Sequence, residues 1–153
     1  MAAPRRQALD SDQSARRVPV HNHGMLLESG TLAEHHRRCD ALFEQARAAV
    51  ARPQALVARV RELREALLSH FRYEEEHVFP LYEQASGLEG ATEWLCAQHD
   101  DMRGILWMLG TLSPATDGGR YQAELAELQA AFDAHAADEE KRMYPVFEKM
   151  LRK

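Results

Sequence analysis

Cysteine is scarce in this chain of 153 residues, and basic charge is nowhere concentrated. Cys39 and Cys96 are the only thiols, and no C-x-x-C pair is present. Two cysteines are too few for a disulfide framework, so reduced thiols and a cytoplasmic protein are the expectation. Net charge is -5 without a basic stripe, which excludes nucleic acid as an expected partner. No apolar run approaches the roughly eighteen residues that span a bilayer, so no membrane is expected either. The first residues lack the apolar core of a secretory signal. Sustained two-residue alternation with β-branched content is also missing, and no strand is expected. What remains is a composition 45% hydrophobic and 28% charged, that of a soluble globular protein. Its length suits one domain with its own core.

Breakers divide the chain into an expected arm, 1–28, and an all-α domain, 29–153. The arm carries prolines, serines and scattered charges without periodicity, and its His21 and His23 read as incidental. A first helix begins near Ser29 or Thr31 and runs to about Arg52. Pro53 suits the first turn of a second helix that runs toward Pro80. ASGLEG at 85–90 is a turn, a third helix runs to about Leu112, and SPATDGG at 113–119 leads into a fourth. Short connections predict an up-down-up-down four-helix bundle.

Each helix carries an apolar stripe in steps of three and four. The stripes are Leu32, His36, Cys39, Phe43, Ala46, Val50; Leu56, Val60, Leu63, Leu67, His70, Glu74; Leu95, His99, Met102, Leu106, Leu109; and Leu125, Leu128, Phe132, His135, Glu139. Every stripe thus turns one or two coordinating groups inward where its neighbours turn leucine. His70 with Glu74, and His135 with Glu139, stand one turn apart on one face. At 1.5 Å per residue, His36 and the pair His70 and Glu74 lie roughly 25–30 Å from the turn between their helices. His99 stands similarly to His135 and Glu139, so all six groups are expected in one layer.

Two carboxylates inside a helical core are costly unless a positive charge neutralises them. No lysine or arginine lies on the stripes near this layer. A pair of metal ions supplies the charge, and four imidazoles with two carboxylates suit iron, manganese or zinc. The alternative is a core in which the six groups hydrogen-bond one another.

The two H-x-x-x-E units recur about 65 residues apart, as HFRYEEEHVFP at 70–80 and HAADEEKRMYP at 135–145. With His36 and His99 they resemble the hemerythrin-like family, in its HHE cation-binding branch, over roughly residues 29–150. The resemblance implies a duplicated helical hairpin around a non-haem di-iron centre with carboxylate and oxo or hydroxo bridges. His36, His70, His99 and His135 would then be terminal ligands, and Glu74 and Glu139 the bridges. It further implies a small diatomic ligand or peroxide as partner, with oxygen, peroxide or nitric oxide sensing, iron handling or iron-centre repair as roles. A di-iron peroxidase, a metal-buffering bundle and a purely structural bundle are the alternatives. Any sensing role would need a separate protein partner. Arg103 stands where oxygen-carrying hemerythrins have a second histidine, and H-x-x-x-E replaces their H-x-x-x-x-D. Fewer histidines leave more coordination open and argue against reversible oxygen carriage.

Several neighbours carry two readings. His36 is favoured over the adjacent His35 because the apolar stripe passes through it. His77 is a seventh ligand or a solvated residue at the bundle mouth. Glu75 and Glu140 orient ligand imidazoles or are surface charges. Cys39 senses oxidation of the centre or is a small buried hydrophobe. Pro80 and Pro145 are expected to kink or end their helices, which would open the bundle past the layer. Leu32, Phe43, Leu67, Leu95, Met102 and Phe132 are expected to line an apolar pocket, and Trp94, Trp107 and Met108 to serve as core or interface.

Overall fold

The computed structural model describes residues 29–153; the expected arm, with His21 and His23, lies outside them. Among the described residues every regular element is helical. They are α1 (Ser29–Ala48), α2 (Pro53–Tyr73), a π-helical turn (Glu74–Val78), α3 (Phe79–Ser86), α4 (Glu93–Thr111), α5 (Gly118–Arg142) and α6 (Tyr144–Leu151). None is long and apolar enough to cross a membrane.

The connections follow from local chemistry. Arg52 is extended, and Pro53 opens α2, where its missing amide proton is no loss. Gly87, at φ 71°, closes α3 in the left-handed conformation, and its N–H reaches the Glu83 carbonyl at 2.9 Å. Glu83 then straps the loop: its Oε1 accepts from the Thr92 N–H at 3.0 Å and the Thr92 hydroxyl at 2.6 Å. Before α5, Asp117 accepts from the Ser113 N–H at 3.1 Å.

The stripes are buried as expected, except that Ala49 replaces Val50 in the fully buried set on the first. They form two apolar clusters. Phe43, Leu63, Leu67, Phe71, Met102, Leu128 and Phe132 belong to the larger. Leu32, Val78, Phe79, Leu81, Leu95, Met143 and Phe147 make the smaller. Burying each of these side chains contributes roughly 1.5–3 kcal/mol. On all four long helices the His and Glu positions fall between the two clusters.

The Pro80 expectation needs correction, whereas the helix before Pro145 ends as expected. Helix 2 does not end near Pro80: it widens into the π-helical turn and continues to Ser86. Pro80 cannot donate to the Glu76 carbonyl and its ring crowds the preceding turn, which a wider turn accommodates. The fourth helix breaks at Met143 and resumes with Pro145 in the first turn of α6. Nor does the bundle open there. α3 and α6 pack over that end and bury Phe79, Leu81 and Phe147. Trp107 is no core residue; it stands 64% exposed, while Arg142 lies over the half-buried Trp94 ring at 4.6 Å.

Candidate metal centre

Six side chains from four helical runs meet between the two clusters. His36 comes from α1, His70 from α2, Glu74 from the first residue of the π-helical turn, His99 from α4, and His135 and Glu139 from α5. Glu74, Glu139, His99 and His135 are fully buried, and His70 and His36 nearly so, at 3% and 7% exposure. They fall into two sets, His36, His70, Glu74, Glu139 and Glu74, His99, His135, Glu139. Within each set the ligand atoms all lie within 4.8 Å of one another. The two carboxylates belong to both.

His36 Nε2 lies 3.8 Å from Glu139 Oε2. His99 Nε2 and His135 Nε2 are 4.0 and 3.6 Å from Glu74 Oε2, and 2.9 Å from each other. Closest are the one-turn pairs, His70 with Glu74 and His135 with Glu139. Yet His36 Nε2, His70 Nε2 and all four carboxylate oxygens have no partner with hydrogen-bond geometry. Orphaning so many buried acceptors is costly, since each loses its hydration without replacement. Polar atoms that crowd one space without hydrogen-bonding suit a cation between them. The residues present therefore fit a metal pair.

Without cations, the layer has to settle its own protonation. Burial and the nearby Glu139 charge push the Glu74 carboxyl well above its ordinary range. Burial also works to raise Glu139, but His135 and Glu74 outweigh it and hold that group low. Burial opposes charging of His135, yet Glu139 and Glu74 hold the imidazolium up to about 9. His70 and His99 are pushed down to about 4, chiefly by burial. Two carboxylates this close cannot both ionise cheaply, and Glu74 is the one that keeps its proton.

A second ring of residues fixes the imidazoles through their other nitrogens. His99 Nδ1 donates to Glu75 Oε1 at 2.8 Å, and Arg103 grips Glu75 with two bonds of 2.9 and 3.0 Å. His135 Nδ1 donates to Gln98 Oε1 at 2.6 Å, and Gln98 Nε2 donates to Asp138 at 3.2 Å. His70 Nδ1 lies 3.2 Å from His35 Nδ1. Phe71 and Phe79 stack on His99 at 4.3 and 5.3 Å. Such contacts set which nitrogen carries the proton and leave Nε2 with its lone pair for an ion.

The structure brings together all six expected residues. Glu75 holds an imidazole; Glu140 is exposed and makes no recorded hydrogen bond. His77 stays outside, its nearest carboxylate being the exposed Glu76 at 3.9 Å. His35 and His36 both take part, one behind the layer and one in it. Cys39 is 1% exposed, and burial pushes its thiol up to about 12, so it behaves as a small hydrophobe. The six residues expected to line an apolar pocket are packed into the two clusters. A cleft of about 310 Å³ that reaches His70 is instead lined largely by polar groups of α1 and α2.

Three residues escaped the sequence reading. Gln98 aligns with His35 in the internal repeat, just as His99 aligns with His36, and that register was available as a signal. Asp138 carried none. Tyr144 precedes Pro145 as Phe79 precedes Pro80, which signals only an aromatic there, but its hydroxyl is buried without a partner. Burial, then the charges of Glu139, Glu140 and Glu74, push that phenol up to about 12.

The family model for the hemerythrin HHE cation binding domain matches residues 29–147. No curated protein and no solved structure matches the chain.

Proposed function

Since the chain belongs to the hemerythrin HHE cation-binding family, we propose that it is a non-haem di-iron protein. It binds or reacts with oxygen, peroxide or nitric oxide, in oxygen or redox sensing or in iron handling. One observation carries this reading: the two ligand sets share Glu74 and Glu139 and differ only in their histidines. His36 and His70 would hold one ion and His99 and His135 the other, with both carboxylates spanning the pair. When bound, two ferrous ions supply one-electron redox chemistry and open positions for a small molecule. The protein's part is to present four neutral imidazoles, three of them held through His35, Glu75 and Gln98, and to keep bulk water out with an apolar cluster on either side.

The up-down-up-down arrangement belongs to the same proposal. α1 and α4 run from the small cluster through the layer to the large one, and α2 and α5 run the other way, which supports it. A cytoplasmic location fits two free cysteines.

The test is metal content together with the optical spectrum through anaerobic reduction and oxygen readmission, with Glu74→Ala as control. About two irons per chain, and bands that reduction removes and oxygen restores, are expected. Zinc, or a stably folded protein without metal after expression in ample iron, would sink the proposal. A di-iron peroxidase is the second reading, and Tyr144 favours it. A buried, unpartnered phenol kept protonated by burial and by the charges of Glu139, Glu140 and Glu74 is a proton donor of the kind peroxide cleavage uses. Loss of peroxide turnover in Tyr144→Phe, with metal content intact, would separate it from a sensor.

A further inference from the structure

The two halves of the layer are closed to different degrees. His99 and His135 are fully buried, Phe71 and Phe79 stack on His99, and both rings are tied to braces that are themselves held, Glu75 by Arg103 and Gln98 by Asp138. His36 and His70 keep some exposure, and the brace behind His70 is another imidazole, His35. That brace is not sealed. A cleft of about 310 Å³ between α1 and α2 is lined by His35, Arg38, Cys39, Glu65, Ser69 and His70. His70 thus forms part of the cleft wall while its Nε2, buried and without a partner, belongs to the layer. A single side chain separates solvent from the ligand set.

We infer that this cleft is the port through which one ion of the pair, the one at His36 and His70, enters and leaves as a hydrated divalent cation. The inference rests on the di-iron reading and gives the iron-handling role a physical route. Glu62 and Glu65 at the exposed rim outnumber Arg38 there and attract the cation. His35 lies next in line, with a ring nitrogen already in contact with His70. Because His35 already touches His70 at 3.2 Å, His35 has to move ahead of it into the cleft. His70 can then rotate and open the layer on that side, where its nearest phenylalanine rings, Phe71 and Phe132, stand 6.3 Å away. Across the layer, freeing His99 requires breaking its bond to a Glu75 that Arg103 holds in place and pulling the ring from between Phe71 and Phe79, so that ion stays. The centre is then a fixed ion beside an exchangeable one.

The experiment follows release from the full-length chain, loaded anaerobically with ferrous iron and mixed with excess ferrous chelator whose complex is coloured. Two ions per chain should leave in two phases of equal size, separated by at least about tenfold in rate. Ser69→Tyr, which fills the cleft from an exposed helix position, should slow the fast phase and leave the slow one unchanged. Ser69→Lys, which puts a cation at the rim, should slow the same phase. Glu75→Gln, which loosens His99, should speed only the slow phase. Release of both ions in a single phase, or a fast phase that neither Ser69 variant alters, overturns the port. Fewer than two ions bound at the outset means instead that the di-iron reading has failed and the port with it.

Discussion

Filling the layer with two divalent ions has to expel protons, and their number follows from the groups present. In the metal-free chain at pH 7, His135 carries a proton because its pKa is held up to about 9. Glu74 is biased the same way, since burial and Glu139 raise its pKa well above the ordinary value. His70 and His99, pushed down to about 4, carry none, and Glu139 is ionised. An imidazolium cannot offer Nε2 to an ion, and a protonated carboxyl cannot bridge two. The His135 proton should therefore leave for each pair of ions bound, and the raised Glu74 adds to that count. Removing the His135 proton at pH 7 costs roughly 3 kcal/mol, which loading has to overcome. The sign is fixed by the direction of the shifts. Both pKa values are raised, so protons compete with ions, and affinity for the pair rises at least about 10-fold per pH unit in the neutral range from His135 alone. As pH passes about 9, His135 ceases to compete and the slope falls by one proton. Ferrous iron added anaerobically to metal-free protein in weak buffer with an indicator dye gives the count directly. Glu74→Gln should lower it toward the His135 proton alone. An affinity flat between roughly pH 6.5 and 8, with no proton released, would refute the reasoning and mean that the layer is already ionised.

Arg103→Ala should free Glu75 and weaken one ion of the pair by roughly 10- to 100-fold while sparing the other; competition titration reads both. The metal-free chain should lose stability as pH falls from about 6.5 to about 4. His70 and His99 are neutral in the fold but charge in the unfolded chain over that window, so urea midpoints should drop through it. Gly87→Ala should cost about 1 kcal/mol, because φ 71° leaves a Cβ strained though nothing crowds it; thermal melts of the loaded protein check this.

Much of the fold and the layer was legible because burial and ligation use the same residues. His36, His70, Glu74, His99, His135 and Glu139 stand on apolar stripes, so a single periodicity yields both the helices and the ligand candidates. Backbone irregularity was harder to read, since Pro80 is compatible with an ended helix and with a widened one. A signal existed nonetheless. The buried stripe takes consecutive steps of four at His70, Glu74, Val78 and again at His135, Glu139, Met143, Phe147. A period of four is longer than an α-helix sustains, so the chain has to widen or break, and it does one in each half. The braces were less visible. Arg103 and Asp138 act through partners on other helices, and nothing in a single sequence pairs Arg103 with Glu75 or Asp138 with Gln98.

The polar layer between the two apolar clusters also bears on how the molecule comes apart. Groups that prefer hydration separate two bodies that would otherwise fuse into one interior. Without cations this plane should transmit little cooperativity, and unfolding is expected in two steps. The smaller, which holds α3 and α6, should unfasten at the lower free energy. Cations turn the plane into a joint. Amide exchange across Phe79–Ser86 and Tyr144–Leu151 should then slow to the pace of the whole, and two heat-absorption peaks should merge into one.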